Sequence, residues 1–328
     1  MQNSKINNSI IFGLSTLKKI AEEVSVKTKI KLGDSEIKHF KDGEIYFELE
    51  TSVRNKRTFI IQSTSNPVNE NLMELLIFID TLRRSSAKEI NLIIPYYGYA
   101  RQDRKNNGRQ PITAALVARL LEEAGASRVI CFDLHSPQIQ GFFRIPVDDL
   151  RAYGLLAREI KKEKIENLII ISPDHGGVSR ARSLAKILDS EIAIIDKRRI
   201  KANEAIVGNL IGNVKGKNCV IVDDIIDTGG TIIEGIKILK KNGANNIYVA
   251  ATHSLFSRSK DEDYDIVWKK IKEAGAKMII TTNSINNHSK DKFLKIINLA
   301  TPIADVILKH INDQSIIDHF IKKYNTVI

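Results

Sequence analysis

The chain alternates short runs of β-branched residues with longer segments whose apolar residues recur at helical spacing, and this alternation restricts the fold more than any other feature. INLIIPYYG is followed by PITAALVARLLEEAGA and RVICFDLHS, and later NLIIISPDHGG, SRARSLAKILDS and EIAIIDKRR repeat the order. Such alternation is typical of parallel sheets covered by helices, because parallel neighbours need a crossover connection. At 328 residues the chain is long enough for about two domains of this kind. We therefore predict an α/β fold.

The boundary between the two predicted domains lies near IPVDDLRAYG, where the periodic pattern is interrupted. We place the domains at residues 1–148 and 149–328. AGASRVICFDLHS at 124–136 is similar to NGANNIYVAATHS at 242–254, as expected if the two halves are duplicates. The same similarity arises without duplication, since any α/β unit reuses a helix end, a glycine and an apolar strand. The sequence leaves both interpretations open.

Composition excludes several classes of protein. No apolar run approaches the roughly 20 residues of a membrane-spanning helix, and the opening residues do not form a signal peptide, so we expect a cytoplasmic protein without a membrane partner. Cys131 and Cys219, the two cysteines, lie inside apolar runs, which argues against a disulfide framework or a zinc site. The net charge of +11 is spread along the chain, which favours small, strongly anionic substrates over nucleic acid.

The segment NCVIVDDIIDTGGTIIEGIKILKKNGA predicts a phosphate site. An apolar strand ends in two carboxylates, crosses a short turn and enters an amphipathic helix. Gly229 and Gly230 let the backbone turn tightly and bring its N–H groups close to a phosphate, while Thr228 and Thr231 add hydroxyl donors. The positive end of the helix dipole then favours an anion at this turn.

The carboxylates of this segment indicate what carries the phosphate. Asp223 and Asp224 would repel a phosphate unless they accept hydrogen bonds from sugar hydroxyls or hold a divalent cation. The pairing therefore favours a phosphorylated sugar. The alternative, that these two residues and Asp227 only cap a turn and a helix, stays open at this point.

The full string VDDIIDTGGT resembles the phosphoribosyl pyrophosphate motif of the phosphoribosyltransferase fold, although that family usually has alanine where this chain has Gly230. In that fold the DTGGT loop holds ribose 5-phosphate and the acidic pair meets the ribose hydroxyls. FKDGEIYFELETSVR, IIPYYGYARQDRK, DLHSPQIQGFF with ISPDHGG, and IDKRRIKANEAIVGNLIG further resemble the ribose-phosphate pyrophosphokinase family. The resemblance implies two similar phosphoribosyltransferase-like domains, each a mainly parallel sheet flanked by helices, with the final helix packing back on the N-terminal domain.

The resemblance also implies an activity: transfer of the β,γ-pyrophosphoryl group of Mg-ATP to the 1-hydroxyl of ribose 5-phosphate, giving 5-phosphoribosyl 1-pyrophosphate and AMP. It implies Mg²⁺ as cofactor and a homo-oligomer, a hexamer, whose active sites are shared between subunits. Two alternatives remain. A phosphoribosyltransferase needs the same loop but not the nucleotide-binding segments, and a non-catalytic regulatory paralogue would have lost catalytic-loop or magnesium residues, which this sequence keeps.

Residues outside the phosphate loop take their roles from the resemblance alone. The implied ATP contacts are Phe40, Asp42 and Glu44, reaching from a neighbouring subunit, together with Arg101, Gln102 and Asp103. The implied magnesium ligands are His135 and Asp174, and the implied catalytic residues are Lys197 and Arg199 of a flexible loop. Read without the family, the same segments are a hairpin turn, a solvated basic loop, structural hydrogen-bonding residues and a solvated charge run.

Overall fold

The computed structural model describes residues 2–198, 207–258, 263, 265–286, 289 and 291–326. Contacts divide the chain into two compact units. Unit 1 comprises Met1–Leu150, Ser284–Asn286 and Leu299–Phe320, and unit 2 comprises Arg151–Asn283, Asn287–Asn298 and Ile321–Ile328. The division after Leu150 lies close to the boundary placed from the sequence, and part of the C-terminal segment belongs to unit 1.

The secondary structure alternates strands and helices over most of the described chain. The strands are β1 (Ser9–Gly13), β2 (Lys31–Leu32), β3 (Ser35–His39), β4 (Ile45–Leu49), β5 (Arg57–Ile61), β6 (Glu89–Ile94), β7 (Arg128–Phe132), β8 (Val147–Leu150), β9 (Leu168–Ser172), β10 (Glu191–Arg198), β11 (Val207–Ile211), β12 (Asn218–Ile226), β13 (Ile247–Ser254), β14 (Ala276–Thr282) and β15 (Leu294–Ile297). The α-helices are α1 (Gln2–Asn7), α2 (Lys18–Thr28), α3 (Val68–Arg84), α4 (Thr113–Ala124), α5 (Tyr153–Lys162), α6 (Val178–Leu188), α7 (Gly230–Lys241), α8 (Ile266–Ala274), α9 (Ala300–Ile311) and α10 (Ile316–Tyr324).

Unit 1 contains a six-stranded sheet in the order β2-β1-β5-β6-β7-β8, and all of its neighbouring strands are parallel. An antiparallel hairpin, β3-β4, stands apart from this sheet. Phe47 of the hairpin packs on Phe78 of α3, with ring centroids 4.9 Å apart. Near the C-terminus, His310 of α9 lies edge-on to Phe59 of β5, with centroids 5.7 Å apart. The apolar runs of the central strands are continuous because helices cover both faces of a parallel sheet.

Unit 2 contains a seven-stranded sheet in the order β11-β10-β9-β12-β13-β14-β15. Only the edge pair β10-β11 is antiparallel. The core strands β9, β12 and β13 are buried along almost their whole length, as the runs LIII, CVIV and VAA predict. The predicted α/β class with two mainly parallel sheets is confirmed.

The two sheets share one strand order. In unit 1 the order β2-β1-β5-β6-β7-β8 corresponds, strand by strand, to β10-β9-β12-β13-β14-β15 in unit 2. This correspondence pairs β7 with β14 and β6 with β13. The similarity between 124–136 and 242–254 joins β7 to β13, which occupy different positions in their sheets. That similarity is therefore no trace of a duplication and reflects the recurrence of helix, glycine and strand. A glycine with positive φ, Gly125, caps α4, and another, Gly243, follows the C-cap residue of α7.

Candidate active site

The sheet of unit 2 reverses its direction of winding between β9 and β12. From β9 the chain passes through α6 to β10 on one side, whereas from β12 it passes through α7 to β13 on the other. Open parallel sheets bind ligands beyond the carboxyl ends of their strands at such a switch point. Asp174 follows β9, and the predicted phosphate loop, residues 227–231, follows β12. The topology thus brings these two predicted segments to one sheet edge.

The acidic pair lies inside a strand, which corrects the expectation that the strand ends at Asp223 and Asp224. Pairing of β12 with β13 continues through Asp223 opposite Ala251 to Ile226 opposite Ser254. Pairing with β9 covers only Asn218 to Ile221. The acidic residues therefore extend past β9 into the switch point, where the strand is held from one side. Aspartate is uncommon in strands, so sequence propensity alone ends β12 too early.

The phosphate loop has the backbone geometry of an anion site. Gly229, at the start of α7, has φ +81. Its left-handed conformation is one that glycine adopts at little cost. Thr228, Gly230 and Thr231 are exposed around it. The first N–H groups of a helix have no intrahelical acceptor and point out from the N-terminus, so this loop offers donors at the switch point.

Gly230 leaves space for the alanine that the resembling family usually has. A Cβ built on Gly230 would meet Thr228 Oγ1 at 3.9 Å, which is an ordinary van der Waals distance. A Cβ on Gly229 would come within 3.1 Å of Val267 Cγ1, in addition to the strain of positive φ. The chain thus departs from the family pattern at Gly230, the glycine of the pair that has space for a Cβ.

Arg180, which no sequence motif indicated, contacts both members of the acidic pair. Its Nη1 donates to Asp223 Oδ1 at 2.9 Å, and its Nη2 lies 3.1 Å from Asp224 Oδ1. Burial raises the pKa of Asp223, and the adjacent Asp224 carboxylate raises it further, while the Arg180 guanidinium lowers it. One sequence signal was available: Arg180 is a cation in the first turn of α6, where the helix dipole disfavours positive charge.

Asp174 is exposed at the end of β9, and its chemistry suits a divalent cation. Its Oδ1 accepts the N–H of Gly177 at 2.9 Å, and its other carboxylate oxygen makes no hydrogen bond to any of the described residues. Mg²⁺ usually takes one or two protein carboxylates and completes its shell with water and substrate phosphates. A lone accessible carboxylate beside a phosphate loop fits that pattern.

The other predicted magnesium ligand, His135, belongs to unit 1, where it is exposed three residues after β7. Within the ranges that the structure describes, no group of three or more histidine, cysteine, aspartate or glutamate side chains is arranged to hold a metal. Cys131 and Cys219 are both buried in strands and free of disulfides, as predicted.

The predicted catalytic loop begins at the end of β10. The backbone of Lys197 pairs with Gly208 of β11, while Arg199 lies outside the described residues. One residue before Lys197, Asp196 is buried and its Oδ1 lies 2.7 Å from Nε2 of His175. His175 follows Asp174 directly, so this contact joins the loop after β9 to the strand that leads into the catalytic loop.

The first predicted nucleotide segment, FKDGE, is the turn of the β3-β4 hairpin in unit 1. Phe40 N–H donates to Glu44 O at 2.9 Å, and Asp42 Oδ1 accepts the N–H of Glu44 at 3.1 Å. The hairpin interpretation is therefore correct for the backbone. The Phe40 side chain is 57 % exposed, with Tyr46 edge-on at 6.1 Å, so its ring is accessible on the surface of this unit.

The second predicted nucleotide segment lies between β6 and α4 in unit 1. Arg101 and Gln102 are exposed and Asp103 is half-buried. Gln102 anchors the loop to the start of α4, because its Oε1 accepts the Thr113 hydroxyl and its carbonyl accepts Ala114 N–H.

The first turn of α3 connects the two nucleotide segments. Glu70 Oε1 lies 3.4 Å from His39 Nε2 at the end of β3, one residue before Phe40. Asn69 accepts a hydrogen bond from the Tyr99 hydroxyl, two residues before Arg101. The structure thus brings the FKDGE turn and the 99–104 loop to the same end of one helix.

Comparisons with known proteins agree with this geometry along the whole chain. The N-terminal domain of ribose phosphate pyrophosphokinase matches residues 9–125, and the phosphoribosyl transferase domain matches residues 148–292. A ribose-phosphate pyrophosphokinase of Fusobacterium nucleatum is 48 % identical over 318 residues, which cover 96 % of this chain and 98 % of the relative. The chain belongs to the ribose-phosphate pyrophosphokinase family.

Further relatives place the chain well inside the ribose-phosphate pyrophosphokinase family. Ribose-phosphate pyrophosphokinase 1 of Listeria monocytogenes is 51 % identical over 276 residues, which are 84 % of this chain and 85 % of that protein. The crystal structure of phosphoribosylpyrophosphate synthetase from Mycobacterium smegmatis aligns with a TM-score of 0.86 at 37 % identity, covering 94 % of this chain and 100 % of that one. The family predicted from the sequence is confirmed.

Across the described residues, none of the helices combines the length and the apolar character needed to cross a bilayer.

Proposed function

We propose that this chain is a ribose-phosphate diphosphokinase that transfers the β,γ-pyrophosphoryl group of ATP to the 1-hydroxyl of ribose 5-phosphate. The products are 5-phosphoribosyl 1-pyrophosphate, which serves nucleotide biosynthesis, and AMP. The anomeric oxygen attacks the β-phosphorus, the bond from that phosphorus to the α,β-bridging oxygen breaks, and AMP leaves. Family membership over nearly the full length supports this activity.

The observation that carries the proposal is the glycine loop at the switch point of unit 2, with an acidic pair on the strand before it. In this proposal the backbone N–H groups of residues 228–231 and the Thr228 and Thr231 hydroxyls bind the 5-phosphate. Asp223 and Asp224 accept hydrogen bonds from the ribose hydroxyls, and Asp227, the first residue of the DTGGT loop, belongs to the same ribose 5-phosphate site. The loop offers N–H donors to a phosphate, and the carboxylates a few residues away accept hydrogen bonds from hydroxyl groups. A phosphorylated sugar carries both a phosphate and hydroxyl groups, so it suits this site.

The nucleotide is assigned to the 99–104 loop of one chain and to the FKDGE turn of a neighbouring chain. Phe40 offers an accessible ring for stacking on a purine, and Asp42 and Glu44 offer carboxylates that can accept from its amino groups. Arg101 and Gln102 supply donors for the phosphates, and Asp103 lies beside them. ATP is the proposed nucleotide because the resemblance to the ribose-phosphate pyrophosphokinase family implies ATP as the donor of the pyrophosphoryl group.

Asp174 and His135 are the residues that would hold Mg²⁺. When bound, the ion neutralises charge on the polyphosphate and orients it. The protein itself supplies no nucleophile, so its part is to position the two substrates and to stabilise negative charge. Lys197 and Arg199 are the proposed donors for the pyrophosphoryl oxygens as negative charge shifts during transfer.

The activity is tested by incubating the purified chain with ATP, ribose 5-phosphate and magnesium chloride and separating the nucleotides by ion-exchange chromatography. We expect AMP in equal amount to 5-phosphoribosyl 1-pyrophosphate, and no AMP when ribose 5-phosphate is omitted. Formation of ADP would mean single phosphoryl transfer. No nucleotide turnover, with intact folding by circular dichroism, would contradict the proposal and favour a non-catalytic paralogue.

We also propose a homo-oligomer, a hexamer by family resemblance, in which the FKDGE turn of one chain reaches the active site of a neighbour. The exposed Phe40 ring supports a partner at this turn. Mixing two inactive variants, Phe40→Ala with Asp42→Ala in one and Asp223→Ala in the other, should restore activity if sites are shared. Activity that stays at background after unfolding and co-refolding of the mixture would contradict sharing. Light scattering after size exclusion gives the number of subunits.

A further inference from the structure

Arg180 lies at the switch point of unit 2, and the proposed reaction as stated gives it no role. It is the third residue of α6, and its side chain is only 12 % exposed. Its guanidinium spans from Asp223 to Asp224 at 2.9 and 3.1 Å. A cation in the first turn of a helix opposes the helix dipole, so the site gains from an anionic partner there, and the acidic pair supplies one.

The acidic pair needs such a partner to act on a sugar. Two neighbouring carboxylates that are largely removed from water repel each other, and the pair lowers its energy by binding a proton. A protonated carboxyl becomes a donor and loses part of its capacity to accept hydrogen bonds. The planar guanidinium offers separate N–H groups to the two carboxylates, so a single side chain compensates both charges and restricts both rotamers.

We propose that Arg180 is a positioning residue for ribose 5-phosphate, which orients Asp223 and Asp224 and offsets their mutual repulsion so that both accept hydrogen bonds from the sugar hydroxyls. The proposal rests on the proposed function, because it specifies how the acidic pair of that ribose site is maintained. It assigns no contact between Arg180 and either substrate. Removing Arg180 should therefore weaken the affinity for ribose 5-phosphate and leave the affinity for ATP unchanged.

The test compares Arg180→Met and Arg180→Lys with Arg182→Met, a matched control two residues further along α6 whose side chain is exposed. The full-length proteins are assayed for AMP formation with each substrate varied in turn. For Arg180→Met we expect the KM for ribose 5-phosphate to rise about 10- to 100-fold, the size of loss observed when the hydrogen-bonding partner of a metal ligand is removed. The KM for ATP should stay within about twofold, like both constants of Arg182→Met.

Arg180→Lys gives an intermediate result, because a single ammonium group does not bridge both carboxylates as the guanidinium fork does. It also keeps the test decisive if Arg180→Met fails to fold, since a charged side chain remains at the site. An unchanged KM for ribose 5-phosphate in either folded variant overturns the proposal. So does a lowered kcat with unchanged KM values, which would indicate direct contact with the transferred group. Both outcomes are distinct from failure of the proposed function, in which the wild-type protein forms no AMP.

Discussion

The two sheets have the same strand order, but their switch points are organised in opposite ways. In unit 1 the switch point lies between β1 and β5, and the segment that follows β5 is QSTSNP. Its polar residues Gln62, Ser63, Thr64 and Ser65 are all buried. In unit 2 the corresponding segment follows β12, and its threonines and second glycine are exposed.

Hydrogen bonds within the chain satisfy the buried polar groups at the switch point of unit 1. We call this the closed switch point, and the switch point of unit 2, whose loop is exposed, the open switch point. Gln62 Oε1 accepts from the N–H and hydroxyl of Thr16 in the loop after β1, and Gln62 Nε2 donates to Glu74. The Ser63 and Thr64 hydroxyls accept from the backbone N–H groups of Tyr96 and Gly98. Buried polar groups must be paired, and here the chain pairs them itself. In unit 2 the threonines and the second glycine at the same position are exposed instead. One strand order thus supports a self-satisfied core in unit 1 and the proposed ligand site in unit 2.

The largest expected effect comes from removing an acidic residue of the open switch point. Asp223→Ala deletes a proposed acceptor of the ribose hydroxyls and leaves Arg180 with one partner. Each hydrogen bond from a ribose hydroxyl to this charged carboxylate contributes about 1.5–3 kcal/mol, and the remaining acceptor, Asp224, loses part of its positioning. We therefore expect kcat/KM for ribose 5-phosphate to fall about a thousandfold in steady-state assays. Ser65→Ala, in the corresponding segment of unit 1, should leave this constant within about twofold; equal losses in both variants would break the comparison.

A second test uses corresponding strands, β10 of unit 2 and β2 of unit 1. Lys197→Ala removes a proposed donor for the pyrophosphoryl oxygens, so turnover should fall about a hundredfold while the KM for ATP changes little. Lys31 in β2 is the matched control, because it is an exposed lysine on the corresponding strand. Wild-type turnover in Lys197→Ala would remove that residue from the mechanism.

Alanine substitutions at the two loop glycines should have different effects on stability and on ribose 5-phosphate binding, which tests the geometry of the open switch point. Gly229→Ala places a Cβ at positive φ and close to Val267, so the free energy of unfolding should fall by about 1–2 kcal/mol. The KM for ribose 5-phosphate should rise with it. Gly230→Ala should be neutral in denaturant unfolding and in assays, because its Cβ has space. A larger loss for Gly230→Ala than for Gly229→Ala would contradict the loop geometry.

The smallest expected effect concerns Glu74 in the closed switch point. Burial raises the pKa of this carboxyl above its ordinary value of 4.5, although hydrogen bonds from Ser15 and Gln62 oppose the shift. The native protein therefore keeps a proton that the unfolded chain has released, so Glu74 lowers stability as the pH rises from 4.5 through its native pKa. The unfolding free energy of Glu74→Gln minus that of wild type should increase over this range in urea titrations. A pH-independent difference would contradict it.

The fold class could be predicted from the sequence because it depends on local pattern. Apolar strand runs, helical periodicity and the glycines that end α4 and α7 are all properties of short segments, and each reappears in the structure. The phosphate loop was also local, since strand, turn and helix follow one another in the sequence. Its residue roles remain proposals, as do those of the nucleotide segments, Asp174, His135 and the catalytic loop.

What the sequence could not predict depends on strand order and on contacts between distant segments. The extension of β12 through the acidic pair follows from its pairing with β13, which propensity does not report. The contact of Arg180 with Asp223 joins residues 43 positions apart and exists only because β9 and β12 are neighbours. For the same reason, the sequence could not decide whether the similarity between 124–136 and 242–254 marks a duplication, because a sequence comparison ignores position in the sheet.

The shared strand order has a practical consequence for protein engineering. It defines a register for transplanting loops between the halves, in which residues 62–67, after β5, correspond to the segment after β12 that starts at Asp227. An alignment guided by the two His-Ser dipeptides would graft the loop one strand away from its proper scaffold. A chimaera built in the topological register would instead ask whether a second sugar pocket can be installed in the same polypeptide.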